Sequence, residues 1–309
     1  MHDFVRLDES RFSRLQYGKK KGCGAVKGKK LLCLLLALLC LGGCTDTAAH
    51  SLDVEVSPAS SDLELYIFDA GKADALLLLC EGRAVLIDCG EKGFGSTILA
   101  ELHARGVEEL DALILTHFDK DHIGGAARIL SSIPVTAVYQ TCGQGDGGEY
   151  QKYLRAVERA GIEPQTLRQP IGFPLGSADC RIEPPLREHY DKDEDNNLSL
   201  IVTVTHGANT LLFLGDAETE RIAEYLADSP VDCDFLKVAH HGGKEKLLGT
   251  LLARVKPELA VITCSDAEPE AASTLAALKA AGAEVFLTRC GAVRIVSDAK
   301  QLSAGYCRP

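Results

Sequence analysis

The chain has 309 residues, of which 46% are hydrophobic and 25% charged, enough apolar content for one large core or two small ones. Trp is absent and aromatics make up 6%, which speaks against a stacking platform for single-stranded nucleic acid. The formal net charge of −11 makes the chain a poor generic binder of nucleic acid or anionic lipid, and the sequence offers no basic groove.

Residues 1–44 are set apart from the rest. KKKGCGAVKGKK (Lys19 to Lys30) is basic, and LLCLLLALLCLGG (Leu31 to Gly43) is apolar and runs into Cys44. Thirteen apolar residues are short for a bilayer span and fit the core of a secretory signal. LGGC resembles the lipobox of bacterial lipoproteins, whose cysteine is lipidated and becomes the mature N-terminus. That resemblance implies export and a lipid anchor through Cys44 at the outer face of the cell membrane. Gly42 is a less usual lipobox residue and the lead is long, so a true start near Val26 is one reading. A plain membrane anchor or a buried helix is the competing one.

Residues 1–43 carry nine of the 33 basic and three of the 44 acidic residues, leaving 24 basic against 41 acidic, a net charge of −17. Eight cysteines follow Cys44: Cys80, Cys89, Cys142, Cys180, Cys233, Cys264, Cys290 and Cys307. None forms a C-x-x-C pair, so a zinc ribbon is not indicated. Most end apolar runs, where cysteine serves as a small buried hydrophobe, though pairing is open to an exported chain.

Thr45 to Asp62 is small and polar and reads as a flexible tether over 45–62, with one domain over 63–309. LELYIFDAG begins the ordered part. ADALLLLC and AVLIDCG, joined by EGR, predict a hairpin. STILAELHARG predicts a helix with a Gly stop, and DALILTH a buried strand. HIGGAARILSSI reads as one helix, TAVYQTC as a strand and GGEYQKYLRAVERAG as a helix. Pro164 to Asn197 predicts short strands and a loop. NLSLIVTVTHGANTLLFLGD predicts two strands around a turn, AETERIAEYLAD a helix, and CDFLKVAHHGG a strand running into a loop. PELAVITCS, the helix PEAASTLAALKAAG, EVFLTRCG and AVRIVS complete the series. Hairpins followed by alternating β and α units predict an α/β fold, an αββα sandwich of two mixed β-sheets flanked by helices.

Chemistry concentrates at three strand ends. In LTHFDKDHIGG (Leu115 to Gly125), His117, Asp119, Asp121 and His122 place four residues of metal-ligand type within six positions, after a buried strand. Gly124 and Gly125 in a helical stretch call for close backbone packing. LLFLGD ends at Asp216, which taken alone is a turn and a helix cap. FLKVAHHGG ends in His240 and His241, and strand alternation does not choose between them, because the loop breaks the parity.

Six ordered motifs carry a resemblance over Leu63 to Val296: FDAGKADA, VLIDCG, LTHFDKDHIGG, NNLSLIV, LLFLGD and LKVAHHGG. They resemble the metallo-β-lactamase superfamily, and most of all the hydrolase domain of the competence-protein ComEC branch. The resemblance implies two divalent metal ions, Zn or Mn. His117, Asp119 and Asp216 would hold one. Asp121, His122, Asp216 and one of His240 and His241 would hold the other, with Asp121 and His122 the residues implied for catalysis. Asp88 would support the ligand loop, and Asp69 and Asp74 would order the loop after the first strand. Asn196, Asn197 and Ser199 would line the cleft. The superfamily's H-x-H-x-D-H has Asp119 at its third position here, and no histidine beyond His189 and His206 is available to precede Asp216. An oxygen in place of a nitrogen favours a harder ion such as Mn²⁺ relative to Zn²⁺. The implied activity is hydrolysis of a phosphodiester, in nucleic acid or a small molecule, with an ester or lactone as the alternative. A non-catalytic surface protein accessory to DNA uptake is the reading from another class. No protein partner is implied.

Overall fold

The computed structural model describes residues 61–192, 194–228 and 230–307. The expected signal, Cys44 and nearly all of the tether therefore lie outside the described residues. Among these residues, no helix is long and apolar enough to cross a membrane.

The chain begins with three antiparallel strands, β1 (Leu63–Ile67), β2 (Leu76–Cys80) and β3 (Arg83–Ile87). Next come α1 (Gly95–Ala104), β4 (Leu110–Leu115), α2 (Lys120–Ile123), α3 (Ala126–Leu130), β5 (Val135–Gln140), α4 (Gly148–Ala160) and β6 (Gln165–Thr166). The hairpin of β7 (Ile171–Leu175) and β8 (Ala178–Glu183) follows, then α5 (Glu194–Asn197) and the hairpin of β9 (Ile201–His206) and β10 (Asn209–Phe213). The remainder is α6 (Thr219–Ala227), β11 (Phe235–Lys237), α7 (Leu248–Val255), β12 (Leu259–Ile262), α8 (Ala272–Ala280), β13 (Glu284–Leu287), β14 (Val293–Ser297) and β15 (Leu302–Tyr306).

One sheet has eight strands in the order β15-β14-β1-β2-β3-β4-β5-β6, and the other has seven, β13-β12-β11-β10-β9-β8-β7. Three apolar clusters build the layers. The first lies between the sheets and joins Leu65, Leu78, Val85 and Ile114 to Val202, Phe213, Phe235 and Val261. The second seats Ile98, Ile129, Tyr153 and Val157 of the helices on the outer face of the first sheet. The third seats Ile222, Leu251 and Leu278 on the outer face of the second. This is the expected αββα sandwich.

Two elements escape the sequence reading. β15 is an edge strand whose burial alternates only weakly, so its pattern does not announce a strand. α7 lies in a stretch assigned to no element. The final hairpin, β14–β15, returns to pair with β1, so the first sheet is closed by the C-terminal end of the chain. HIGGAARILSSI is two short helices, because the chain breaks at Gly124 and Gly125. All eight described cysteines are free, and Cys80, Cys89, Cys180, Cys233 and Cys264 are buried as small hydrophobes.

β3, β4 and β5 run parallel, as do β10, β11, β12 and β13. Parallel strands need crossovers through helices, so their carboxyl ends gather at one edge of each sheet, where ligands of open α/β sheets bind.

Glu64 of β1 ties this sheet to a helix. It accepts from Arg294 of β14 at 2.7 Å and is ion-paired to Arg105, just past α1. Burial raises its pKa, but the two guanidinium groups outweigh that and hold it below the usual value. A lowered carboxyl pKa adds stability that is present above the unfolded-state value and lost as pH falls through the folded one. Glu64→Gln is therefore expected to cost about 1 kcal/mol at pH 7, the scale of a part-exposed pair. Urea midpoints of wild type and variant should converge below about pH 4. A gap that persists there would mean the residue acts by packing.

Candidate metal centre

The site is assembled from the carboxyl ends of β3, β4, β10, β11 and β12. Asp88 follows β3 with a left-handed backbone, φ 55°, and is fully buried. Its Oδ1 accepts the Thr116 amide at 2.9 Å and its Oδ2 accepts the Thr116 hydroxyl at 2.7 Å. The same Oδ2 lies 2.8 Å from His122 Nδ1. One carboxylate thus joins the end of β3, the loop after β4 and the imidazole of α2. Asp119 takes the N-cap position of α2 but makes no side-chain cap bond, so the polar loop is not explained as a helix cap.

The three buried imidazoles of the site, His117, His122 and His241, share one orientation. With Asp88 as acceptor, His122 Nδ1 is the protonated nitrogen. Thr263 donates to Asp74 Oδ1 at 2.6 Å, so its oxygen is free to accept from His241 Nδ1 at 2.9 Å. Thr116 likewise donates to Asp88, leaving its oxygen for His117 Nδ1 at 3.1 Å, with Ser199 Oγ at 3.4 Å. In each ring Nε2 is turned inward, where its lone pair would be available to a bound cation. His122 Nε2 and His241 Nε2 are 3.3 Å apart, close enough to share one cation or one proton.

Asp216 stands opposite. Its Oδ1 is 3.3 Å from His122 Nε2 and its Oδ2 is 3.2 Å from His241 Nε2. Asp121 Oδ2 is 3.4 Å from His241 Nε2, and Asp119 Oδ2 is 3.8 Å from His117 Nε2. Three groups among the described residues bring possible ligand atoms within 4.8 Å of one another: His117 with His122 and Asp216, Asp121 with His122 and His241, and Asp74 with Asp88 and His122. Among the described residues, His117 Nε2 and Asp216 Oδ1 are buried without an aligned hydrogen-bond partner. Burial disfavours charge on the His122 imidazole, yet Asp216 and Asp88 outweigh it and hold its pKa well above the usual value. The pocket is built to take up positive charge, and its nitrogen and oxygen donors suit divalent transition ions.

The structure also separates His240 from His241. The strand ends at Lys237, and a 3-10 turn over Ala239–Gly242 follows, with φ 46° at His240, 51° at His241 and 71° at Gly242. Left-handed backbone costs a non-glycine residue about 1–3 kcal/mol, and such strain collects at functional sites. The turn aims His241 into the cluster. His240 is left part-exposed on the rim, with Nδ1 3.0 Å from Glu218 Oε1. Of the two, His241 is the one that falls in a candidate metal-holding group.

Other expected residues fall into place around this cluster. Asp216 is not the helix cap it resembles in isolation, because α6 begins beyond it at Thr219. Asn197 and Ser199 are buried and Asn196 is part-exposed. Asn197 Oδ1 accepts the amides of Glu218 and Arg221, Asn196 donates to Glu218 Oε1, and Ser199 Oγ accepts the Asp216 amide at 3.1 Å. They brace the turn that carries Asp216. Asp69 is exposed and makes none of these bonds. Asp74 is buried and reaches across to Thr263 and His241 of the other sheet. His206 bonds Ser297 at 2.8 Å, away from the cluster, and His189 lies exposed on a loop. Sequence reasoning missed Thr116, Thr263 and Lys237. The one available signal was a lysine inside the apolar strand FLKV.

A family model for the metallo-beta-lactamase superfamily matches residues 69–265. The chain belongs to this superfamily. Within the metallo-beta-lactamase superfamily it is similar to ComE operon protein 3 of Bacillus subtilis, 30% identical over 224 residues, 66% of this chain and 28% of that protein. It is also similar to competence protein ComA of Neisseria gonorrhoeae, 30% identical over 204 residues, 63% of this chain and 26% of that one. The domain is therefore ComEC-like, and the chain spans about a quarter of the length of the curated relatives it matches. Among solved structures, the metallo-beta-lactamase fold protein YhfI of Bacillus subtilis aligns with a TM-score of 0.51 at 13% identity, covering 80% of this chain and all of that one. At that identity the likeness shows the fold.

Proposed function

We propose that this chain is an exported, membrane-anchored, metal-dependent hydrolase that activates water at a binuclear centre and acts on phosphodiesters. The observation that carries the proposal is the shared orientation of His117, His122 and His241, each with Nε2 turned toward Asp216 and its neighbours. His117, Asp119 and Asp216 would hold one ion. Asp121, His122, Asp216 and His241 would hold the other. Divalent ions held there would supply a water of lowered pKa and positive charge for a developing phosphoryl oxyanion. The protein's part is to fix the donors: Asp88, Thr116 and Thr263 hold the imidazole tautomers, and Ser199 with Asn197 holds the Asp216 turn. Asp119, half-exposed at the rim, offers oxygen to an ion at that edge and favours Mn²⁺. Export and the anchor rest on the Lys19 to Cys44 sequence.

Phosphodiesters are favoured because the curated relatives include a competence protein. The net charge of −17 beyond residue 43 and the exposed Asp191 and Asp195 favour short substrates over long DNA. Purified protein assayed with bis-p-nitrophenyl phosphate, a lactone, a β-lactam and single-stranded DNA, with Mn²⁺ or Zn²⁺, should cleave the phosphodiester in a metal-stimulated reaction. Protein that binds no metal and cleaves none of the four would sink the proposal.

One observation favours the second reading, a non-catalytic binder accessory to DNA uptake. α3 and α4 line a surface groove of about 510 Å³ that carries Lys152, Arg155 and Arg159 beside Ala127, Leu130 and Ala156. Helical spacing of three and four brings these cations together from an otherwise acidic sequence. Lys152 pairs with Glu149 at 2.6 Å. Arg155→Glu with Arg159→Glu is expected to weaken single-stranded DNA binding roughly tenfold at low salt and to flatten its salt dependence. Unchanged affinity in a fluorescence anisotropy titration would remove this reading.

A further inference from the structure

Lys237 sits where an apolar residue would be expected. β11 lies between β10 and β12 in the second sheet, and Phe235 and Leu236 belong to the cores on its two faces. Lys237 is only 1% exposed. Its Nζ is 2.5 Å from Oδ2 of Asp74, also 1% exposed, and it makes no aligned hydrogen bond among the described residues.

Asp74 comes from the other sheet, in the loop between β1 and β2. Its Oδ1 accepts the Thr263 hydroxyl at 2.6 Å and lies 3.4 Å from His241 Nδ1, and Thr263 Oγ1 is 2.9 Å from that same nitrogen. The Asp74 backbone also joins the first-sheet half of the site, its amide donating to the Asp121 carbonyl at 3.2 Å and its carbonyl accepting from Gly90 at 2.7 Å. Lys237, Asp74, Thr263 and His241 are thus one line of contacts between the sheets, and it ends on an imidazole whose Nε2 faces Asp121 and Asp216.

Fold stability alone explains this pair poorly. A buried ion pair returns its desolvation cost only with complete hydrogen bonding, and apolar residues of similar volume serve a core as well or better. Here the ammonium has three donors and one close acceptor. Charge balance supplies a better account. Asp74, Asp88, Asp119, Asp121 and Asp216 bring five carboxylates to the centre, and the ammonium of Lys237 is ion-paired to one of them. One ammonium and two divalent ions balance five carboxylates.

We propose that Lys237 is a positioning residue for the second ion. It pins Asp74, Asp74 with Thr263 keeps His241 Nδ1 as a donor, and His241 then presents Nε2 beside Asp121. This inference rests on the binuclear reading above and assigns the second ion to a strut that crosses between the sheets.

The test is the metal content of purified, folded full-length chain, read by plasma mass spectrometry after dialysis against buffered Mn²⁺ or Zn²⁺. Wild type is expected to hold two ions per chain. Lys237→Met and Thr263→Val are each expected to hold one, with apparent affinity for the second ion lowered roughly 10- to 100-fold, the scale for lost outer partners of a ligand. Thr263→Val cuts the same line while leaving the Lys237–Asp74 pair intact, so it decides the matter even if Lys237→Met does not fold. Wild type and both variants holding two ions, with only the metal-free thermal midpoint lowered, would make Lys237 structural and overturn this inference alone. Wild type holding fewer than two ions would overturn the binuclear reading together with it.

Discussion

Asp216→Asn is expected to leave a folded chain whose metal-stimulated phosphodiester cleavage has fallen by roughly 10³-fold or more, the scale for removing a group that organises transition-state charge. Asp216 contacts two of the site's three buried imidazoles, at 3.3 Å from His122 and 3.2 Å from His241. Burial opposes its ionisation, but His241 and His122 outweigh that and hold its pKa well below the usual range. The amide keeps the shape and loses the charge, so neither proposed ion keeps its shared ligand. His206→Ala is the control, because that ring is spent on Ser297 and Ser177. Initial rates at saturating Mn²⁺ compare the three proteins. Equal loss in both variants, or no loss in Asp216→Asn, would move the chemistry away from this cluster.

Gly124→Ala and Gly125→Ala are each expected to cost about 3 kcal/mol of stability, the upper end for overpacking. A Cβ at Gly124 would lie 2.3 Å from the backbone of Glu91 and Lys92, and one at Gly125 would lie 2.3 Å from the Cys89 carbonyl oxygen. These neighbours are backbone, in the loop that also carries Asp88, so neither side yields without moving a support of His122. Gly147→Ala meets nothing within 4 Å and is expected to stay within about 0.5 kcal/mol of wild type. Urea midpoints separate the cases. Equal midpoints for all three variants would show that the loop after β3 can move aside, and that the two glycines are not there for close packing.

Much of the sandwich follows from local pattern. The apolar strand runs within 63–87, the apolar strand before His117 and the Gly-stopped helices at α1 and α4 are written in neighbouring residues. The first candidate residues of the site were visible for the same reason, since His117, Asp119, Asp121 and His122 follow one apolar strand within six positions. What escaped depends on pairing at long range. β15 is legible only once β14 offers it an edge, and the basic groove only once α4 presents one face beside α3.

The sequence by itself determined the layer architecture, the superfamily resemblance and the residue types from which a centre could be built. It did not decide between His240 and His241, since both follow the same strand and parity ends where the strand ends. Tertiary structure decided that through a left-handed turn held by the Gly215 carbonyl and by packing at Gly242 against Ile262. It likewise turned Asp216 from a plausible helix cap into the residue facing two imidazoles, and a lysine in an apolar strand into the partner of Asp74. The turn depends on neighbouring strands of its own sheet and the other two outcomes on atoms from the opposite sheet; contacts at the site join residues 119 apart for His122 and His241 and 189 apart for Asp74 and Thr263, and no local pattern encodes a contact of that range.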